Sequence, residues 1–164
     1  MNGNLAVLLM GSKVDLEHAK KITAWLDHFG IAHETRIASA HKTPEKVLEI
    51  LADNEKRGLD IVYIGIAGLS NALSGMVEFS TAFPVVSCPP PNDSFAGADI
   101  FSSLRMPPGV AAATVLDPRN AALFAAKIFA LKDKDMKERV REYQKEQRDK
   151  IEADDAELQR RDGE

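Results

Sequence analysis

A single cysteine, Cys88, is all the thiol chemistry this 164-residue chain carries. One thiol cannot build a disulfide framework within a chain, nor a cysteine-based zinc site. Histidine is scarce as well. Of the four, His18, His28 and His33 fall on helical or edge-strand positions and have no zinc-ligand spacing, so no metal is expected. There is no basic excess: 21 Lys and Arg against 25 Asp and Glu leave a net charge of −4. That balance offers no broad cationic face to nucleic acid or to an anionic membrane. No apolar run approaches the roughly 20 residues of a membrane span. Met1-Asn2-Gly3-Asn4 lacks the basic-then-apolar pattern of a signal peptide. A cytoplasmic enzyme or binding domain fits best, with neither nucleic acid nor membrane as partner. Nucleotide fingerprints are missing too. The Gly11-Ser12 loop has no Gly-Lys-Ser/Thr ending and no three-glycine pattern, so neither ATP nor NAD is indicated. No cofactor is expected.

What is present is alternation. Residues 5–10 (Leu-Ala-Val-Leu-Leu-Met) are apolar throughout, as a strand buried on both faces requires. From Asp15, Leu16, Ala19, Ile22, Leu26 and Phe29 recur at helical spacing and Gly30 stops them. The pattern repeats. A strand at 31–38, polar enough for an edge, precedes a helix at 44–57. A strongly apolar strand at 60–67 precedes a short helix at 69–80. A strand at 83–87 runs into Cys88-Pro89-Pro90-Pro91-Asn92-Asp93, which three prolines keep out of helix and central strand. A short helix at 98–104, a turn at Pro107-Pro108-Gly109 and a fifth strand at 110–115 follow. Asp117-Pro118 then opens an Ala-rich helix to Leu131. Five strands alternating with helices predict a doubly wound α/β three-layer sandwich on a parallel five-stranded sheet, flavodoxin- or Rossmann-like, over residues 1–131. The charged tail, 132–164, has sparse apolar residues at Met136, Val140, Tyr143, Ile151 and Leu158. It reads either as a solvated helix or as a helix reaching a neighbouring subunit.

In such a fold, ligands bind beyond the carboxyl ends of the strands. Four loops leave those ends: Gly11 to Asp15, Ser39 to Thr43, Gly68 to Asn71 and Cys88 to Asp93. In Ser39-Ala40-His41-Lys42-Thr43 a hydroxyl, an imidazole and a fixed positive charge meet just before a helix opening at Thr43-Pro44. An imidazole exchanges protons near neutral pH. A cation at a helix N-terminus suits an anion. This stretch is therefore the candidate for holding a phosphorylated substrate and moving a proton on it. Ser12 reads as a phosphate ligand and Asp15 as a ribose ligand, because a carboxylate accepts from both hydroxyls of a diol. Simple helix capping would explain both equally. Gly68, Ser70 and Asn71 supply a turn, a hydroxyl and an amide, again with capping as the structural alternative. Cys88 reads as a small buried hydrophobe. Met136-Lys137 superficially looks like a biotin-attachment pair, but a charged helix is the wrong setting for one.

Taken together, the segments resemble the phosphoribosylaminoimidazole carboxylase (PurE) family of purine biosynthesis. The resemblance runs from about Leu5 to Leu131. It rests on Met10-Gly11-Ser12-x-x-Asp15, Ser39-Ala40-His41-Lys42-Thr43-Pro44, Ala67-Gly68-x-Ser70-Asn71, Pro84-Val85-Val86-Ser87-Cys88-Pro89-Pro90, and Ser102-Ser103-Leu104-Arg105-Met106-Pro107-Pro108-Gly109. Class I members, which are mutases using the carbamate of the substrate, carry Arg after the motif histidine and a second histidine in the glycine-rich loop. Here Lys42 and Ala72 stand at those places. Together with Ser70-Asn71 they resemble class II, which carboxylates aminoimidazole ribonucleotide directly with carbon dioxide. Val14 departs from the Ser of many relatives. The resemblance implies a catalytic His41, phosphate contacts from Ser12, Ser39 and Lys42, a ribose contact from Asp15, and ring or carboxylate contacts from Gly68, Ser70 and Asn71. It implies neither metal nor cofactor, and a homo-octamer in which the tail packs on a neighbouring subunit. The alternatives are the class I mutase and a non-catalytic nucleotide-phosphate sensor.

Overall fold

A computed structural model describes residues 3–161. Met1 and Asn2 of the leader reading, and the last three residues of the tail, lie outside the described residues. The two most apolar segments lie side by side at the centre: β1 (Asn4–Met10) and β3 (Asp60–Ile66) pair in parallel, Leu5 against Ile61. β2 (Ala32–Ile37) flanks β1 on one side, and β4 (Val85–Ser87) and β5 (Ala113–Thr114) extend the sheet on the other. The order is β2-β1-β3-β4-β5 with every pairing parallel. The polar strand at 31–38 does take an edge, where most of its side chains are exposed.

Successive side chains of a strand point to opposite faces. Ala6, Leu8, Met10, Val62, Ile64 and Ile66 therefore pack under α1 (Leu16–His28) and α5 (Pro118–Phe129). Leu5, Val7, Leu9, Ile61 and Tyr63 pack under α2 (Pro44–Glu55) and α3 (Ala72–Phe79). This is the three-layer flavodoxin-like arrangement, and it explains why β1 and β3 are apolar without alternation. Two layers sit unusually close. A Cβ added to Gly65 would lie 2.4 Å from Ser74 Oγ and 3.3 Å from Ser74 Cα, so α3 rests on β3 only because that position is glycine. On the other face Ala121, Ala122, Ala125 and Ala126 are all buried, letting α5 approach the sheet and α1.

Three boundaries differ most from the sequence reading. α3 begins at Ala72, not residue 69, because Leu69 adopts a left-handed backbone, φ 58°, that no α-helix accepts. β5 keeps only Ala113 and Thr114 of the residues expected at 110–115, since β4 offers just three residues to pair with. Segment 94–100 is 3₁₀-like and kinked, with α4 (Phe101–Leu104) behind it. The tail is one helix, α6 (Lys134–Arg161). Its first turns belong to the same core: Met136, Val140 and Tyr143 are buried, and the Tyr143 ring lies 5.3 Å from that of Phe29. Arg139 Nη1 donates to the Phe29 carbonyl at 2.8 Å, satisfying the C-terminal end of α1. From 145 to 160 every residue is exposed.

Candidate active site

The strand order reverses between β1 and β3, so their outgoing loops diverge and leave a crevice at the sheet's carboxyl end. The crevice is a cavity of about 640 Å³, within the range of about 300–1,000 Å³ typical of small-molecule sites. Loops from all four of the first strands line it. Of the sequence candidates, Ser12, Asp15, Ser39, His41, Lys42, Gly68 and Ser70 are on its wall.

β1 is followed by Gly11, whose N–H continues the ladder to the Ile66 carbonyl at 3.0 Å. Ser12 follows in extended backbone, and a 3₁₀ turn, Lys13–Asp15, leads into α1. The side chains of Ser12 and Asp15 make no capping bond to the 3₁₀ turn or to α1. Burial lifts the Asp15 carboxyl above its ordinary pKa; the Ser12 amide and hydroxyl pull partly the other way. Burying a carboxylate costs the free protein, and a diol would give it two further donors.

After β2 the chain closes on itself. The Ser39 N–H donates to Thr43 Oγ1 at 2.9 Å, and the Thr43 N–H donates to the Ser39 carbonyl at 2.9 Å. The Lys42 N–H donates to Ser39 Oγ at 3.3 Å. Thr43 stands at the N-cap of α2, but its hydroxyl braces this loop and makes no capping bond. The closed loop presents Ala40, His41 and Lys42 to the cavity, with His41 and Lys42 exposed. An exposed imidazole and ammonium beside a helix start can reach a bound anion and exchange protons with its neighbour.

Asn71 is the exception. It is 3% exposed and does not line the cavity. Its Oδ1 accepts from the Ser74 N–H at 3.2 Å, capping α3, and its Nδ2 donates to Ser87 Oγ at 2.7 Å and Ser103 Oγ at 2.9 Å. For this residue the capping alternative is what the structure contains.

Sequence and structure comparisons fit this geometry. The family model described as AIR carboxylase matches residues 5–150. The chain belongs to the AIR carboxylase family. Phosphoribosylaminoimidazole carboxylase of Archaeoglobus fulgidus is 55% identical over 156 residues, covering 95% of this chain and 86% of that one. Its counterpart in Treponema denticola is 51% identical, covering 95% and 98%. The crystal structure of Treponema denticola PurE superposes with a TM-score of 0.93 at 50% identity, over 94% of this chain and 98% of that one. The bifunctional mouse enzyme, a phosphoribosylaminoimidazole carboxylase/phosphoribosylaminoimidazole succinocarboxamide synthetase, is 45% identical over 125 residues, 76% of this chain and 29% of that protein.

In this AIR carboxylase family member, sequence reasoning missed Asn92 and Ser94, which line the cavity with Pro90 and Pro91. The triple proline was the available signal: it forces an irregular loop out of β4 at the ligand-binding end of the sheet. Val14 also lines the cavity, 86% exposed. Cys88 is fully buried, with Sγ 3.5 Å from His18 Nε2. Among the described residues no group of three or more His, Cys, Asp or Glu is placed to hold a metal ion, and no helix is long and apolar enough to cross a membrane.

Proposed function

We propose that this chain carboxylates 5-aminoimidazole ribonucleotide with carbon dioxide, reversibly and without ATP, giving 4-carboxy-5-aminoimidazole ribonucleotide in purine biosynthesis. The observation that carries this reading is the convergence of Ser12, Asp15, Ser39, His41, Lys42, Gly68 and Ser70 on one cavity at the sheet's switch point. A phosphate sits against Ser12, Ser39 and Lys42, and the ribose diol against Asp15. Gly68 and Ser70 face the ring and the incoming carboxyl group. Asn71 acts from beneath, fixing the loop that carries them.

The chemistry needs little else. The exocyclic amine makes the ring carbon C4 enamine-like, so its electron pair attacks the carbon of carbon dioxide and a C–C bond forms. C4 then carries both a hydrogen and a carboxylate, and the ring is no longer aromatic. His41 takes that hydrogen as a proton, the electron pair of the C–H bond returns to the ring, and aromaticity is restored. In reverse, His41 protonates C4 and the C–C bond breaks. A positioned general base contributes about 10²–10⁴-fold. Fixing carbon dioxide over the ring supplies further acceleration by removing the entropy of encounter.

His41→Asn tests the role directly, because asparagine keeps a polar side chain of similar reach but cannot act as a base near neutral pH. Turnover falls at least about 10²-fold while the nucleotide still binds by calorimetry. Near-normal turnover would refute the assignment and favour a sensor. We also place the protein in the cytoplasm as a homo-oligomer, of octameric order, braced by α6. The exposed Leu131, Ile151 and Leu158 support this, since they leave apolar surface along the tail and just before it.

A further inference from the structure

Leu69 is held in a conformation its side chain does not favour, and nothing in the core requires it. Its φ of 58° lies in the left-handed region, which Leu rarely enters, and its side chain is 56% exposed. Two hydrogen bonds from the segment before β5 keep it there. The Leu69 N–H donates to Asp99 Oδ2 at 2.9 Å, and the Leu69 carbonyl accepts from Ser102 Oγ at 2.9 Å. Ser102 Oγ also accepts from the Asn71 N–H at 3.0 Å. The same Asp99 oxygen accepts from Asn92 Nδ2 at 3.3 Å, and Asn92 lines the opposite wall of the cavity. The two walls lie one methyl group apart: a Cβ added to Gly68 would sit in ordinary contact, 3.5 Å from Pro90 Cγ.

We propose that Asp99 is a positioning residue. With Ser102 it pins Leu69 in its strained backbone and ties the wall formed by Gly68, Leu69 and Ser70 to the one formed by Pro90, Pro91 and Asn92. Asp99 is not on the wall of that cavity. Its effect on the reaction is indirect, through the placement of Gly68 and Ser70, and rests on the cavity being the carboxylation site. Strain of this kind persists only where surrounding bonds over-determine it, and it clusters where geometry matters to function. A loop needing only to connect β3 to α3 would relax out of it, or carry glycine at residue 69.

The test compares Asp99→Ala in two backgrounds, the natural chain and Leu69→Gly, reading kcat/KM for carboxylation and amide hydrogen exchange at residue 69. In the natural chain, losing a charge-assisted acceptor lowers kcat/KM about 10–100-fold and speeds exchange of the residue 69 amide. Glycine holds the left-handed conformation without strain, so in the Leu69→Gly background the same change costs several-fold less. A purely structural role would cost the same in both. Asp99→Asn keeps an acceptor oxygen and restores most of the lost activity; it also serves as the variant to compare if Asp99→Ala does not fold. The proposal is overturned if Asp99→Ala leaves kcat/KM within about twofold, or if the losses are equal in both backgrounds, while His41→Asn abolishes turnover. If His41→Asn turns over normally, the reading of the site fails and the proposal falls with it.

Discussion

Cys88 and His18 touch, and burial disarms both. Burial pushes the Cys88 thiol up to about 12, with Asp117 adding to the effect, so it stays protonated at neutral pH and is no nucleophile. Burial also lowers the His18 pKa, helped by Lys21 and opposed by Cys88 and Asp117. This has a consequence for stability. Above the ordinary value of 6.5, His18 is neutral whether the chain is folded or not. As pH falls below it, the unfolded chain takes up the proton first, so folding stability drops until the folded His18 titrates as well. The slope from this group is at most about 1.4 kcal/mol per pH unit. Thermal melts from pH 7.5 to 5.5 therefore show a falling midpoint, and His18→Gln shows a smaller fall. Parallel curves for the two proteins would contradict the burial argument. Residue identity alone could not separate such cases. Ser12, Asp15 and Asn71 all read as caps or as ligands; only the hydrogen bonds show that Asn71 caps α3.

At the scale of elements, legibility followed burial. β1 and β3 were readable because both faces are covered, which leaves an unbroken apolar run. α1, α2 and α5 were readable from their spacing and from the Pro or Gly at their ends. β5 and the start of α3 were not, because each is set by a partner distant in sequence: β4 limits the first, and Asp99 and Ser102 bend the second. α6 divides in the same way. Its first turns dock on Phe29 and Trp25 through Tyr143. Residues 145–160 continue as solvated helix for about 24 Å. Lys150–Asp154 is one of the exposed pairs along it, worth only about 0.3–0.5 kcal/mol. In the proposed oligomer a neighbouring subunit braces this stretch. Removing residues 145–164 keeps Met136, Val140 and Tyr143 and leaves a folded chain. Light scattering after gel filtration then gives a lower oligomeric order than for the full chain. Equal orders would contradict a bracing role.

At the scale of the molecule, the parallel sheet puts every outgoing loop at one rim, so residues as far apart in sequence as Gly11 and Ser94 meet in a single cavity. That is why the candidate site was largely legible: once the strands were placed, their carboxyl ends named the loops. What stayed hidden was Asn92, Ser94 and the Asp99 bridge. These depend on how the triple-proline loop and the kinked segment after it settle against Gly68 and Leu69, and no periodicity encodes that. The proposed reaction stands or falls on the carboxyl donor. The deciding measurement is an assay with aminoimidazole ribonucleotide and bicarbonate-equilibrated carbon dioxide, without ATP, set beside one with the carbamate carboxyaminoimidazole ribonucleotide. The account predicts carboxylated product from the first mixture, and from the second only as fast as the carbamate releases carbon dioxide and aminoimidazole ribonucleotide. Turnover with the carbamate alone would contradict it.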